Sequence, residues 1–273
     1  MKLPFKLNPK FFKKFPSFIL ASSDPCLIYK SDSDSKSMAM RSIRLGGTFK
    51  TTCISRYINT INLLQSYCTP KSKILDIGAS DGSASLSGIH GLSYSEYIVS
   101  DKYLFLHSIK LLGLYFIFTD RLKFQMAFNS FFVLYRSSWL AWFFRLFDFL
   151  YYNKAKRNSK KVSLLRDEVI AIDNVSVLEF DMFRPKNIQA DVVIVANILN
   201  RSYFTDEALN SLVLYFLRDI SRPGGIVALI DNRAEKGENS SILHNDGHAF
   251  TLLERVGDGS DVEHIFLNLE SLN

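Results

Sequence analysis

Short apolar runs that end at glycine, asparagine or acidic residues recur between residues 70 and 270. Each run has the length and branched composition of a buried strand, and the fourth is almost continuously apolar, as parallel strands covered on both faces are. Apolar residues also recur at helical spacing over 48–67 and 205–221. Strands that alternate with helices predict a doubly wound α/β sheet. The predicted strands are 73–77, 96–101, 175–182, 190–197 and 226–230.

Two further apolar runs close the pattern, over 249–255 and 262–269, with Gly257-Asp258-Gly259-Ser260 between them. Glycine and aspartate between short apolar runs are typical of a hairpin turn. The pattern therefore predicts a C-terminal antiparallel hairpin that completes the sheet.

The first predicted strand runs directly into a glycine turn, Gly78-Ala79-Ser80-Asp81-Gly82. Gly78 and Gly82 allow positive φ and let a ligand approach the backbone, and the small polar residues that follow suit a helix N-terminus. A dinucleotide fingerprint needs a second glycine where this chain has Ser80. The turn also fits the G-x-S-x-G pattern of serine hydrolases, with Asp231 and His248 as partners of Ser80. In that fold several strands and an oxyanion loop precede the turn, whereas only about seventy residues, without such a loop, precede it here.

Residues 104–160, between the second and third predicted strands, are rich in leucine and aromatic residues. Charged residues interrupt every apolar run, and each would cost roughly 2.5–3.5 kcal/mol at the centre of a bilayer, so no transmembrane helix is expected. The composition predicts a helical hydrophobic insertion after the second strand. It fits either a subdomain that closes over a substrate or amphipathic helices in a membrane interface. The interrupting residues are Asp120, Arg121, Lys123, Arg136, Arg145 and Asp148.

The N-terminal residues 1–47 are predicted to form a basic, aromatic arm and a linker ahead of one domain over 48–273. Over 1–20, phenylalanines and lysines are interleaved with prolines that exclude one regular helix. This segment fits an arm packed on the domain, or a surface that meets an anionic membrane or polymer. The net charge is a modest +6, and three cysteines without metal-ligand spacing indicate a reduced, cytoplasmic protein.

The first strand and its turn, Ile74-Leu75-Asp76-Ile77-Gly78-Ala79-Ser80-Asp81-Gly82, resemble the first motif of class I S-adenosylmethionine-dependent methyltransferases. Acidic strand ends, a Pro223-Gly224-Gly225 junction before the fifth strand and a terminal hairpin follow in the order of that family. The resemblance covers residues 70–270. It implies a Rossmann-like fold with a seven-stranded, mostly parallel sheet, S-adenosyl-L-methionine as cofactor, and a methyltransferase activity.

The resemblance also implies roles for individual residues. The glycine turn would cradle the methionine end of the cofactor, with Asp76 helping to hold its ammonium group. Asp101 would accept hydrogen bonds from the ribose hydroxyls and Asp181 from the adenine amine, with Met182 packed on the ring. The implied cofactor-binding set is Asp76, Gly78, Ala79, Ser80, Asp81, Gly82, Asp101, Lys102, Asp181, Met182 and Asn197.

The fourth strand ends in Asn197-Ile198-Leu199-Asn200, without the proline pair carried by branches of the family that methylate adenine or amide nitrogen. An oxygen acceptor is therefore expected, and its proton needs a base or a metal. His244 and His248 follow the fifth strand and are the candidate general bases. Their spacing with Asp246 would permit a metal ion, but no metal site is assigned.

These patterns predict an O-methyltransferase that acts on a small-molecule, glycan or lipid-linked acceptor, in the cytoplasm or at the inner face of the membrane. Peripheral membrane contact is expected through 1–20 and 104–160, and the apolar insertion fits a homodimer interface equally well. An RNA methyltransferase is the alternative, because basic clusters are interleaved with aromatic residues. No RNA-binding module is recognisable, so nucleic acid is not the expected partner. A membrane-associated binding subunit without activity is a third interpretation.

Overall fold

The chain divides into two compact units, residues 1–51 with 105–166, and residues 52–104 with 167–273. The N-terminal segment and the apolar insertion thus belong to the same unit. The computed structural model describes residues 18–21, 23–30, 32–45, 48–49, 54–119, 121–136, 145–146, 148–149, 153, 156–184, 186–199, 204–233 and 237–268. The predictions for residues 1–17, for Asn200 and for most of 137–155 lie outside the described residues.

The secondary structure of the described residues follows the chain in order. The strands are β1 (Phe18–Leu20), β2 (Arg44–Leu45), β3 (Thr48–Phe49), β4 (Lys73–Ile77), β5 (Glu96–Asp101), β6 (Phe105–Leu111), β7 (Leu114–Phe118), β8 (Phe124–Phe128), β9 (Phe132–Tyr135), β10 (Lys160–Ser163), β11 (Val175–Glu179), β12 (Ala190–Ala196), β13 (Ser221–Arg233), β14 (Gly237–Asn245) and β15 (Phe250–Val256). The α-helices are α1 (Ser33–Met40), α2 (Ile58–Leu64), α3 (Ser85–Gly91), α4 (Asp167–Ile170), α5 (Asp206–Tyr215) and α6 (Glu263–Leu267). Shorter helical turns lie at Pro25–Tyr29, Gln65–Tyr67 and Phe216–Ile220.

The larger unit is built on a seven-stranded sheet in the order β11-β5-β4-β12-β13-β14-β15. The first five strands are parallel neighbours, and β14 and β15 are antiparallel to their neighbours. The strand order reverses between β4 and β12, and ligands of α/β sheets bind at such a reversal, outside the carboxyl ends of the strands. This topology agrees with the mixed α/β, mostly parallel sheet that the resemblance implied.

Strand register fixes which residues meet at that end of the sheet. Ile77 in β4 pairs with Ser100 in β5 and with Val195 in β12, and Val195 pairs with Leu229 in β13. The segments that follow these four positions therefore emerge side by side. We call this end the carboxyl edge and the opposite end the amino edge.

The core of this unit packs the central strands against α5 and α6. Thr205 caps α5 by accepting a hydrogen bond from the backbone of Ala208. The buried face of α5 (Leu209, Leu212 and Val213) belongs to the same apolar cluster as the strands and α6. Parallel strands need such cover on both faces, because their side chains alternate between the two sides.

The C-terminal hairpin differs from the predicted one. The antiparallel pair consists of β14 and β15, whereas α6 occupies most of the segment predicted as the last strand, 262–269. Val262, Ile265 and Phe266 are buried together, and their spacing is that of one helix face. A helix buries all three on one side, which an alternating strand would not do.

The insertion contains strands, and the predicted helical subdomain is wrong over 105–135. In the smaller unit a six-stranded antiparallel sheet runs in the order β1-β9-β8-β7-β6-β10. Tyr115 stacks on Tyr29 with ring centroids 4.4 Å apart and lies 5.7 Å from Phe128. The Tyr135 hydroxyl donates a 2.7 Å hydrogen bond to the carbonyl of Ser42. Aromatic and β-branched residues favour such pleated pairing, so the apolar composition that indicated helices builds a sheet.

Within the described part of the chain, no helix combines the length and the apolar character needed to cross a bilayer.

Candidate functional site

The glycine turn leaves β4 at the carboxyl edge and folds back over the end of β5. Gly78 and Gly82 have φ of +85° and +83°, and Ser80 has φ of +60°. The backbone N–H groups of Gly78 and Ala79 both donate to the carbonyl of Ser100, at 2.8 and 3.0 Å. Two of the three left-handed positions are glycines, which adopt that conformation without a steric cost. The sequence prediction of a strand, a tight turn and a following helix is correct here.

Asp101, the last residue of β5, lies directly beside this turn. Its Oδ2 accepts a 3.0 Å hydrogen bond from the backbone of Ser80, and its Oδ1 accepts one of 3.1 Å from the backbone of Tyr103. The residue is only 5% exposed. The carboxylate therefore helps to fix the shape of the turn. A carboxylate offers about four acceptor positions, so it can hold the turn and accept from a ligand as well.

The other acidic strand end is tied to Asp101 through the residue that follows it. The Lys102 ammonium lies 2.9 Å from Oδ2 of Asp181, and Arg184 lies 3.6 Å from the same oxygen. Asp181 follows β11, so β5 and β11 present neighbouring carboxylates. Met182 does not line this edge in the same way, because its side chain is buried in the main apolar cluster.

Asp76 occupies a different environment from the one predicted. Its side chain is 1% exposed, and its Oδ2 accepts hydrogen bonds from the hydroxyls of Tyr97 (3.0 Å) and Tyr57 (3.4 Å), which are themselves buried. Burial raises the pKa of Asp76 to about 6, although the two tyrosine hydroxyls act to lower it. The described contacts place this carboxylate inside the unit rather than at a surface that could meet an ammonium group. Neither tyrosine was predicted to contact Asp76.

Asp81 also acts within the protein. It is fully buried, and its Oδ1 accepts a 2.8 Å hydrogen bond from the backbone of Ser83, just before α3 begins. This contact shapes the passage from the glycine turn into the helix.

Asn197 follows β12 and reaches across the carboxyl edge to β13. It adopts φ of +59°, and its Oδ1 accepts a 2.7 Å hydrogen bond from the backbone of Asn232. The Asn232 side chain donates to the carbonyl of Arg56, and the Arg56 guanidinium donates back to the carbonyl of Asn232 at 3.3 Å. The segment before α2 is thereby held at this edge. Asn232 was not among the predicted site residues.

Ile198 covers the first glycine of the turn. A Cβ built on Gly78 would overlap the Cδ1 and Cγ1 atoms of Ile198. Gly78 is therefore required both by its positive φ and by this side chain, and the space beside it is taken by Ile198. No feature of the sequence predicted this contact.

The two candidate histidines lie at the amino edge, which contradicts their predicted role as general bases on the side where the acceptor approaches. His244 pairs with Ile226 of β13, Ile226 with Val192 of β12, and Val192 with Ile74, near the start of β4. That level is about 10 Å along the strands from the end of β4.

His248 is exposed in the turn that follows β14, and its backbone donates to Asp246. The serine hydrolase interpretation fails for the same reason, because Ser80 and His248 lie at opposite edges of the sheet.

No group of three or more histidine, cysteine, aspartate or glutamate residues with metal-binding geometry occurs among the residues that the structure describes.

No family model matches this sequence, and no curated protein matches it either. Some solved structures are similar to part of this chain. The alignment with the YcgJ protein from Bacillus subtilis covers 64% of this chain and 51% of that protein, with 14% sequence identity and a TM-score of 0.32. A protein from Methanococcus maripaludis, provisionally described as an S-adenosyl-L-methionine-dependent methyltransferase, is 13% identical over 63% of this chain and 52% of its own, with a TM-score of 0.29. The mitomycin 7-O-methyltransferase MmcR is 15% identical over 62% of this chain and 32% of its own, with a TM-score of 0.29. This chain spans about half or less of the length of these proteins, and the fold described above rests on strand order and register rather than on these likenesses.

Proposed function

We propose that this protein is an S-adenosyl-L-methionine-dependent methyltransferase that acts on an oxygen of a small-molecule, glycan or lipid-linked acceptor. One observation carries the proposal: the carboxylate of Asp101, at the end of β5, accepts a hydrogen bond from the backbone of the glycine turn after β4. This pair lies beside the reversal of strand order, where α/β sheets bind nucleosides. The sequence motif and the strand order support the same conclusion independently.

The residues at the carboxyl edge fit an adenosyl group in chemical type. Asp101 offers carboxylate oxygens suited to two ribose hydroxyls, and Asp181 offers an acceptor for an amine at the neighbouring strand end. Binding of an adenosyl group here requires the Ile198 side chain to move, because it fills the space next to Gly78. A ligand that approaches the backbone of Gly78 has to displace this side chain. Met182 is committed to the apolar core and is not part of the proposed adenine site.

When bound, S-adenosyl-L-methionine would supply an electrophilic methyl group on a sulfonium. The chain's contribution is alignment of donor and acceptor and exclusion of water, which lowers the entropic part of the barrier. Neither His244 nor His248 lies at this edge. We therefore assign no general base, and this favours an acceptor oxygen that is already ionised at neutral pH, such as a carboxylate.

Isothermal titration calorimetry with S-adenosyl-L-methionine tests the proposal directly. We expect binding by the wild-type protein and a loss of about tenfold to a hundredfold in affinity for Asp101→Asn, because a charged hydrogen bond contributes about 1.5–3 kcal/mol. Absence of binding by the folded wild-type protein would refute the proposal.

Asp246→Asn is the matched control. Asp246 also accepts two backbone hydrogen bonds in a turn, from His248 and Ala249, but it lies at the amino edge. Its replacement should leave cofactor affinity unchanged while imposing a comparable local loss. If both variants lose affinity equally, the effect comes from destabilised turns and not from a ligand at Asp101.

An acceptor screen then tests the reaction class. Transfer of a radiolabelled methyl group to a carboxylate would support the acceptor proposed here, whereas transfer to a phenol would require a general base that is not assigned. Transfer to RNA instead would retain the cofactor assignment and replace the acceptor.

A further inference from the structure

The antiparallel sheet of the smaller unit presents two exposed apolar residues at neighbouring hairpin tips. Leu112 lies in the turn between β6 and β7 and is 93% exposed, and Phe131 lies in the turn between β8 and β9 and is 65% exposed. Because β7 and β8 are adjacent antiparallel strands, both turns lie at the same end of the sheet. The centres of the two hairpins are two strand spacings apart, or about 10 Å.

The backbone of each turn has a defined conformation, and neither conformation requires an apolar side chain. Leu112 and Gly113 have φ of +49° and +78°, the combination of a tight turn that favours asparagine, aspartate or glycine at both positions. A leucine there is strained as well as exposed. In the other turn, the Phe131 N–H donates to Oδ1 of Asn129 at 2.9 Å, and its carbonyl accepts from Ala21 at 3.0 Å.

Basic residues lie toward the same end of the sheet, on the side formed by β6 and β10. Lys110 precedes the first tip, is exposed, and lies with its ammonium 5.0 Å from the ring centroid of Tyr115. In β10, which is antiparallel to β6, exposed Lys160 pairs with Ser108. The exposed residues Lys156 and Arg157 precede Lys160, so the antiparallel direction puts them on the tip side of it. Asp24, which caps the Pro25–Tyr29 turn, supplies an acidic group near Cys26.

We propose that this end of the sheet docks on an anionic lipid bilayer, with Leu112 and Phe131 inserted at the boundary of headgroups and acyl chains. Exposed apolar tips gain free energy by leaving water, and each lysine or arginine near an anionic surface adds attraction. The chemistry recognised is therefore a negatively charged surface with an apolar layer beneath it. This inference goes beyond the proposed function, and it does not depend on methyl transfer.

Vesicle flotation with the full chain tests the proposal. We expect binding to vesicles of phosphatidylcholine mixed with an equal amount of phosphatidylserine, weak binding to phosphatidylcholine alone, and weaker binding as salt rises. Leu112→Asn should lower the partition coefficient by about tenfold, because one leucine side chain no longer leaves water. Replacing Lys156 and Arg157 by glutamine should lower it about fivefold for each charge removed.

The Leu112→Asn variant is chosen because it should not unfold the protein. Asparagine accepts the left-handed conformation more readily than leucine does, so the thermal midpoint should stay equal or rise. Leu253→Asn is the matched control, because Leu253 is an exposed leucine (42%) on β15 of the other unit. Its replacement should leave vesicle binding unchanged.

Several outcomes would overturn the proposal. They are an absence of flotation with anionic vesicles, equal flotation of wild type and Leu112→Asn, and equal loss of flotation with Leu253→Asn. Binding of the basic residues to an RNA oligonucleotide without vesicle binding would assign them to nucleic acid. A dimer in sedimentation that Leu112→Asn dissociates, again without vesicle binding, would assign the tips to a second copy of the chain.

Discussion

The buried carboxylate of Asp76 allows a prediction whose sign reverses with pH. Burial raises its pKa from 3.8 to about 6. Between these two values the folded state binds more protons than the unfolded state, so the free energy of unfolding falls as pH rises through this window. The interval corresponds to about 3 kcal/mol lost by the wild-type protein above pH 6, since each pH unit is worth about 1.4 kcal/mol.

Asp76→Asn removes the ionisable group and retains an acceptor for the hydroxyls of Tyr57 and Tyr97. A weaker hydrogen-bond acceptor costs about 1 kcal/mol, but the variant never has to bury a charge. We therefore expect it to be more stable than wild type at pH 8, by about 2 kcal/mol, and less stable at pH 3, by about 1 kcal/mol.

Urea unfolding of both proteins at the two pH values measures this difference. Other carboxylates also make stability depend on pH, for example Asp246, whose pKa is lowered by the backbone hydrogen bonds it accepts from Ala249 and His248. Their contributions cancel in the comparison between variant and wild type at each pH. A difference in stability that is the same at pH 3 and pH 8 would refute the assignment of a buried, titrating Asp76.

Two further predictions test contacts in the larger unit. Gly78→Ala should lower the free energy of unfolding by about 2 kcal/mol or more, because the new Cβ overlaps Ile198 at a position with positive φ. Ile198→Ala in that background should remove the overlap and leave about 1 kcal/mol of backbone strain. Additive effects of the two substitutions in a double-mutant cycle would contradict the contact. The pKa of Glu263 is lowered chiefly by the hydrogen bonds from Arg255, so its stabilising contribution is present above the unfolded pKa and is lost as pH falls. Glu263→Gln should therefore cost about 1–3 kcal/mol in urea unfolding at pH 7 and much less at pH 3, and an equal cost at both would argue against the ion pair.

The central strands were predictable because they are buried on both faces and therefore need apolar side chains on both. A strand covered on both faces must be apolar almost throughout. β12 satisfies this from Val192 to its end, and β4 does so at Ile74, Leu75 and Ile77. The turn after β4 was predictable because positive φ at Gly78 and Gly82 demands residues without a side chain. Asp101 followed from its place at the end of β5.

The insertion was not predictable from its apolar content alone. A sheet covered by other elements can be apolar on both faces, and the alternation that marks a half-exposed strand then disappears. Tyr115, for example, stacks on Tyr29 from the Pro25–Tyr29 turn, a partner distant in sequence. Burial of Tyr57 and Tyr97 around Asp76 has the same character, because it depends on contacts that form only when separate segments pack together.

The histidines were predicted at the wrong end of the sheet because β14 runs antiparallel to β13. Residues that follow a parallel strand lie at the carboxyl edge only until the chain reverses direction. β14 makes that reversal and returns His244 to the amino edge, so its first residues are the ones that stay near the proposed site. Glu238 is the carboxylate there, but its oxygens accept from the backbone of Asn59 and Thr60, at 3.1 and 2.6 Å. It therefore neutralises the N-terminus of α2. That contact makes Glu238 a support for the helix beside the carboxyl edge, and it agrees with an acceptor that needs no base from β14.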